Sequence, residues 1–457
     1  MQNSRIIKLL KLLNPGEIKR FVAFVESPYF NRNERLVRLI KYLAQGHPTF
    51  SDHFLTRDVL LKTLFLGESA VSTQQLHDHF SMLVKLLEQF FSMEQYQEDS
   101  FGQEQSLLKR LAKKGETAHL NRVFKRVRKW QEVHQAQDTQ YFLDSYLLMS
   151  GEDIWGGKMS RRNFEEQLQE ASHYLDVFYL SARLKYSCEL LNRKIVLKRE
   201  STQELSEGLR KFLATPPEAL ISYPVVKLYH CIFLMLSEEG HEPFFNRLLT
   251  LLKQYRSVFS PEEAYSMYAF ATNYCVRQIN QGSSKYLETL FELYKELLVT
   301  NLLERNGYIP HEYLKNIVTI GLRLKEFDWV KDFLEKYRNR MHPDIRQNAY
   351  DYNLAAYYYE QQLYRDALKL LQKVDFTDVY YHLGAKCIQL KVYFELEDDD
   401  GLLYLIKAVR MFLKRNKTVS AYQLRIHENL LKFAKKAVYL RAKKPILSVE
   451  EFQTKID

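Results

Sequence analysis

Proline breaks the interior of a helix and of a paired strand alike, and every one of the eleven prolines of this chain stands at the edge of an apolar run, never at its centre. Asn14-Pro15-Gly16-Glu17 and Ser260-Pro261-Glu262-Glu263 each place a capping side chain before a proline at the first helical position, with a glutamate two residues on. Ser201-Thr202-Gln203-Glu204 and Ser448-Val449-Glu450-Glu451 repeat the capping box without the proline. Pro28, Pro48, Pro216, Pro217, Pro224, Pro243, Pro310, Pro343 and Pro445 punctuate the rest. Glycine and proline together make only about 6% of the chain, with 15 and 11 in 457 residues, against roughly 12% in average usage. Turns are scarce, so the helices are long.

Between these marks the apolar period is near 3.6 residues, as in Leu205, Leu209, Phe212 and Leu213, or Leu287, Leu290, Phe291, Tyr294, Leu297 and Leu298. No two-residue alternation with hairpin glycines is sustained, so the expected fold class is all-α. Four segments are expected: a small N-terminal helical module over 1–98, a helical connector with a basic helix and a glycine-rich loop over 99–160, degenerate helical hairpins over 161–310, and clearer repeats with capping helices over 311–457. The Gly151, Gly156, Gly157 cluster reads as the main interruption, a hinge or exposed loop.

Composition excludes several classes. With 46% hydrophobic and 27% charged residues the chain has core material for a folded protein. Cys188, Cys231, Cys275 and Cys387 are isolated within apolar stretches, without C-x-x-C spacing, and read as small buried hydrophobes of a reducing compartment. Lys8 and Lys11 interrupt the apolar residues of the N-terminus, which excludes a signal-peptide core there. No run approaches the length of a membrane span, so a cytoplasmic chain with no membrane insertion is expected.

Sliding the C-terminal region against itself by 34 residues brings Ile320 onto Leu354, Gly321 onto Ala355, Leu324 onto Tyr358, Val330 onto Tyr364, Phe333 onto Ala367 and Tyr337 onto Leu371. A third, degenerate unit follows at a shift of 35, with Tyr393 under Tyr358 and Ile406 under Leu371, while Leu402 replaces Ala367 and Asp399 replaces Tyr364. Leu354-Ala355-x-x-Tyr358 followed by Tyr364-x-x-Ala367-x-x-x-Leu371-x-x-Val374 resembles the tetratricopeptide pattern, in which a small residue lets two helices approach and large residues surround it. The resemblance covers about 311–415. It implies a right-handed superhelical stack of helical hairpins, a tetratricopeptide-like α-solenoid, and is nearly silent on function. The chain, above all Ser27-Pro28-Tyr29-Phe30-Asn31, also resembles uncharacterised bacterial proteins of this kind, a resemblance that implies no activity.

Motifs of known chemistry fall short. His77-Asp78, with His53 and Asp144 in outer roles, invites comparison with helical metal-dependent phosphohydrolases, but lacks their glycine context, and His79 is two residues from His77 and points elsewhere. Gly151 to Lys158 fails as a phosphate loop, because Met159 stands where the hydroxyl should be and no strand precedes it. Asp398-Asp399-Asp400-Gly401 fails as a calcium loop, since Leu396 and Lys407 occupy the end ligand positions, and reads as an acidic turn between helices. A DNA-binding helix pair over 56–95 would need a tighter turn than Gly67 to Val71, and Leu76, Phe80, Leu83, Leu87 and Phe90 mark the second helix as buried. No catalytic residue, metal site or cofactor is expected.

Two surfaces remain. Arg122, Lys125, Arg126 and Lys129 fall on one helical stripe opposite Val123, Val127 and Trp130, with Lys109, Arg110, Lys113 and Lys114 just before them. This ridge, and a second basic stretch through Lys432, Lys435, Lys436, Arg441, Lys443 and Lys444, reads either as a solvated face or as a site for an anionic partner. The tetratricopeptide resemblance implies a groove whose inner positions fall on Lys315, Lys325, Tyr352, Asn353, Tyr359 and Lys391, open to an extended acidic peptide or else filled by the chain's own segment beyond about 420. The leading expectation is a non-enzymatic scaffold that binds a protein or peptide segment there. Its rivals are a nucleic-acid-associated regulator using the ridge and an enzyme whose signature is not visible.

Overall fold

The computed structural model describes residues 3–51, 53–65, 73–133, 136–155, 164–197, 207–237, 241–305, 307–374, 379–416, 419 and 421–441. Among them the chain forms 22 α-helices, and Arg305 and Tyr308 make the one isolated bridge, with no strand. Backbone contacts divide it into two compact units, one of residues 1–134 and 143–175, the other of 135–142 and 176–457.

The first unit contains α1 (Arg5–Leu10), α2 (Pro15–Glu26), α3 (Glu34–Gln45), α4 (Arg57–Phe65), α5 (Thr73–Glu98), α6 (Ser100–Lys114) and α7 (Thr117–Val133). It also takes most of α8 (Thr139–Trp155) and the start of α9 (Phe164–Leu197). Asn14 closes a full capping box on α2, its side chain taking the Gly16 and Glu17 amides while Glu17 accepts from the Asn14 amide. The long α5 is the axle against which α1 to α4 pack, with Phe21, Leu39, Leu83 and Leu87 fully buried. Leu76, Phe80 and Phe90 are buried as the sequence implied, and the expected turn at Gly67 to Val71 lies outside the described residues.

Helices α6 and α7 form a hairpin over Phe101, Leu108, Leu120, Val123 and Val127. It turns at Gly115, whose φ of 73° is the left-handed cap that glycine adopts without steric cost. The expected interruption at Gly151 is not there. Helix α8 runs through Gly151 to Trp155, held by an ion pair of Glu152 with Arg128 at 2.6 Å. Gly156, Gly157 and Lys158 lie outside the described residues.

The second unit holds the rest of α8 and α9, then α10 (Glu207–Ala214), α11 (Glu218–Ile221), α12 (Pro224–Ser237), α13 (His241–Tyr255), α14 (Pro261–Asn280) and α15 (Tyr286–Val299). There follow α16 (His311–Arg323), α17 (Phe327–Tyr337), α18 (Pro343–Glu360), α19 (Tyr364–Leu371), α20 (Val379–Glu395), α21 (Asp399–Arg415) and α22 (Ala421–Arg441). The capping expectations over 201–204 and 448–451 lie outside the described residues.

From α12 on, each helix packs against the next, and α12 also meets α14, α16 meets α18, and α18 meets α20. The small residues of the repeat sit where helices touch: Ala355 and Ala367 are fully buried, and a Cβ on Gly321 would come within 2.5 Å of Val330. Tyr358 and Tyr364, which the repeat register places in the core, are only half-buried. Asp398 caps α21 by accepting from the Gly401 amide at 2.9 Å, as an acidic turn between helices requires. Cys188, Cys231 and Cys275 are buried and Cys387 half-buried, all as free thiols. No helix among the described residues is long and apolar enough to cross a membrane.

Candidate functional site

A surface cavity opens in the second unit, where one face of α9, α14 and α16 surrounds a space of about 730 Å³. Its wall from α9 carries Lys185, Tyr186, Glu189, Asn192 and Arg193; α14 supplies Tyr265, Thr272 and Asn273, and α16 supplies Tyr313 and Asn316. Ser260 and Pro261 fix where α14 begins and therefore which way Tyr265 and Asn273, two turns apart, project.

A chain of phenols forms the floor. Tyr265 and Tyr313 share a hydroxyl–hydroxyl hydrogen bond with their rings edge to face, and Tyr313 meets Tyr294 in the same manner at 6.4 Å between centroids. Arg305 donates to the Tyr265 hydroxyl at 2.9 Å and lies 5.0 Å from its ring centroid. Burial pushes the Tyr313 hydroxyl well up, helped by the bond to Tyr265, and pushes Tyr294 up to about 12, a rise that the neighbouring Asn316 amide moderates. Tyr294 and Tyr313 therefore stay neutral at physiological pH and offer rings and hydroxyls but no charge.

One end of the cavity is set by a buried carboxylate. Glu263 is 6% exposed and accepts from the Tyr229 hydroxyl at 2.7 Å, from the Lys185 ammonium at 2.5 Å and from Thr139 at 3.4 Å. Burial first, then the charge of Glu263, drives the Tyr229 hydroxyl far above its ordinary value. The Lys185 side chain keeps about a third of its surface, and its ammonium has more than the one proton that Glu263 takes. It therefore borders the cavity as an anchored cation. Glu189 holds Arg193 at 2.7 Å, one turn along α9.

The groove residues expected from the repeat are distributed differently. Lys315 places its ammonium 5.7 Å from the Tyr352 ring centroid and 5.1 Å from that of Tyr381. Lys391 stands 5.6 Å from the Tyr359 ring centroid. Lys325 closes α16 in the left-handed conformation, with a φ of 63°, ten residues from Lys315 and so about 15 Å along the axis. Tyr352 and Asn353 are 5% and 1% exposed. The Asn353 amide donates back to the Ala349 carbonyl at 2.8 Å, so it is turned into its own helix rather than onto an open surface. Residues beyond 420 do reach this cluster: His427 on α22 sits 3.5 Å from the Cys387 thiol. Burial, with the nearby charge of Lys315, holds the His427 imidazole below its ordinary pKa, and burial pushes the Cys387 thiol up to about 11. That thiol stays protonated, the opposite of an activated nucleophile.

The basic ridge on α7 is exposed as expected, with Arg122, Lys125, Arg126 and Lys129 all on the surface and Val123 and Val127 beneath them. Arg126 pairs with Glu104 at 2.5 Å, whereas Arg122, Lys125 and Lys129 have no carboxylate partner among the described residues. Lys109, Arg110, Lys113 and Lys114 are exposed on α6. In the second basic stretch, Arg441 is occupied by Asp399 and the Phe394 carbonyl, and Lys443 and Lys444 lie outside the described residues. His53, His77 and Asp78 are exposed, and His79 is buried against the Gln75 carbonyl. No group of three metal-ligating side chains occurs among the described residues.

Sequence reasoning did not single out Tyr265, Asn273, Tyr313 or Asn316. The available signal was a break in the apolar stripe of α14, where Tyr265, Ala269, Asn273 and Val276 recur at helical spacing and are all at least partly exposed. Tyrosine masks such a break, because it reads equally well as core. No family model, curated protein or solved structure matches the chain.

Proposed function

We propose that the chain is a non-enzymatic protein–protein interaction scaffold, a right-handed tetratricopeptide-like α-solenoid that holds a peptide segment between α9, α14 and α16. Support for the solenoid comes from the order of packing, in which successive helices pair, and α12 meets α14, α16 meets α18, α18 meets α20 and α20 meets α22. The observation that carries the binding site is the cavity of about 730 Å³ lined by Tyr186, Tyr265, Tyr313, Asn192, Asn273 and Asn316. Side-chain amides satisfy a peptide backbone in both directions, phenol rings take its apolar side chains, and Lys185 takes a carboxylate. The peptide belongs here rather than on the surface from Lys315 to Lys391, because Tyr352 and Asn353 are packed inside.

Selection of a random peptide library on the immobilised full chain tests this. Enriched peptides are expected to lose capture by about tenfold or more when Asn273→Ala and Asn316→Ala are combined, since each hydrogen bond removed is worth about 0.5–1.5 kcal/mol. Retained capture in that variant, or loss only on Lys391→Ala, would remove the assignment.

An anionic partner on the α7 ridge is the second reading, favoured by the three exposed cations without a carboxylate. Nucleic-acid retention that falls steeply with salt and disappears in an Arg122→Ala, Lys125→Ala, Lys129→Ala variant would establish it.

A further inference from the structure

The loop between α2 and α3 does something costly. It holds an aromatic side chain out in water, Tyr29 being 89% exposed. The loop is not loose: the Ser27 carbonyl accepts from the Phe30 and Asn31 amides, and the Asn31 side chain donates to the Val25 and Asn33 carbonyls at 2.9 and 3.2 Å. The Asn31 side-chain oxygen takes the Asn33 amide, and Asn33 in turn caps α3 through the Arg35 amide. Phe30 anchors the arrangement by stacking on Phe24 at 4.1 Å and meets Tyr29 edge to face at 5.0 Å. Tyr29 thus projects into solvent from a hydrogen-bonded loop, with its ring edge against Phe30.

On either side of this loop lie two open depressions of about 980 and 600 Å³ that share Phe30, Lys85 and Gln89 and so form one trough. Arg32, Arg35, Arg38 and Lys85 line it against two carboxylates, Glu34 and Glu88, and Glu88 is already engaged by Arg5 at 2.8 Å. Arg32 and Lys85 have no ion-pair partner among the described residues. Arg38 is positioned by donating to the Leu64 carbonyl at 3.0 Å.

We infer that this trough binds single-stranded nucleic acid, with a base stacked on Tyr29 and phosphates on Arg32 and Lys85. Three of the four cations are arginine, whose planar fork matches a phosphate in two-point contact. An exposed ring on a hydrogen-bonded loop is a stacking platform of the kind such strands use, and stacking is indifferent to which base is presented. The alternative occupant, an acidic peptide, would pair with the same arginine forks, but it brings no flat base to lay on the exposed Tyr29 ring. The trough is open and edged by charge. The site is independent of the peptide cavity of the second unit and of the α7 ridge.

Fluorescence anisotropy with labelled oligouridylate and oligoadenylate on the full-length chain tests it. Binding of both is expected to weaken roughly 5- to 150-fold on Tyr29→Ala and to be preserved by Tyr29→Phe, substitutions that an exposed side chain tolerates without unfolding. Arg32→Ala with Lys85→Ala is expected to lower the slope of log affinity against log salt by about 1.4, at about 0.7 for each phosphate no longer neutralised. Lys125→Ala with Lys129→Ala on the ridge is expected to leave the Tyr29 effect intact. The proposal is overturned if neither strand binds at low salt, or if binding is insensitive to Tyr29 and follows the ridge variant. It is equally overturned if polyglutamate binds with the same dependence on Tyr29, which would make the trough an acidic-peptide site.

Discussion

Replacing Gly321 by alanine sets two effects of known size against each other. In an ordinary helix interior the change stabilises by about 1 kcal/mol, because alanine gives up less backbone freedom on folding. Helix α16 is not ordinary at this point: the new Cβ would lie 2.5 Å from Val330 Cγ2 and 3.3 Å from Phe291 Cε2. Carbon atoms rest at about 3.5–4.0 Å, so α16 and α17 must separate by about 1 Å or Val330 must leave its rotamer. Val330 is 0% and Phe291 3% exposed, so neither has free space to move into. Overpacking of this kind costs about 1–3 kcal/mol, which outweighs the propensity gain. The expected net loss is about 1 kcal/mol, or about 2–4 °C in Tm followed by far-ultraviolet circular dichroism. Gly208→Ala, at a helical glycine with nothing within 4 Å, is the control and should hold or raise Tm. In a cycle with Val330→Ala the two changes should be strongly non-additive, because the smaller side chain removes the collision. If Gly321→Ala raises Tm as much as the control, the helices do not approach here and the small-residue reading of the repeat fails with it.

Two further perturbations test the second unit. Glu263→Ala strands the Tyr229 hydroxyl and the Lys185 ammonium, and hydrogen bonds to a charged group are worth about 1.5–3 kcal/mol each. Because Lys185 keeps about a third of its surface, a total loss of about 2–4 kcal/mol is expected, with Glu263→Gln costing about half; a Tm equal to that of the exposed Glu262→Ala control would refute the network. His230 and His427 both have imidazoles held below their ordinary pKa by burial. The unfolded chain therefore binds more protons than the folded one just below pH 6.5, so their contribution is full above that value and is lost as pH falls through the folded pKa. Thermal melts between pH 7.5 and 5.5 should show a smaller drop in the His230→Gln, His427→Asn variant than in the wild type, and an equal drop would assign the pH dependence elsewhere.

What the sequence makes legible follows from which interactions are local. Helix content and starts are local matters: Asn14, Ser260 and Pro343 act within one turn of their own backbone, and each caps or opens a helix where its neighbours imply. Gly321 and Ala355 are readable because a close helix contact admits few residue types and the 34-residue register shows that restriction twice, whereas Ala367 falls opposite Phe333 and shows it once. Gly151 misleads for a related reason. Glycine lowers helix propensity by only about 1 kcal/mol, and the ion pair of Arg128 on α7 with Glu152 offsets it from outside the local sequence.

The site is harder to read because it depends on which face of a helix the neighbours leave uncovered. Tyr352 and Tyr265 are the same residue type on helices of the same kind. The first is packed against Tyr381 and reached by Lys315, which α22 approaches through His427, while the second borders a cavity between α9, α14 and α16. Within α14 the difference leaves a trace in the broken apolar stripe of Tyr265, Ala269, Asn273 and Val276, but its cause lies elsewhere. It is set by residues more than 25 positions away in the chain, such as Tyr381 for Tyr352 and Tyr313 for Tyr265. A groove inferred from repeat register therefore gives positions on single helices, and only the packing of the flanking helices decides which of those positions stay open.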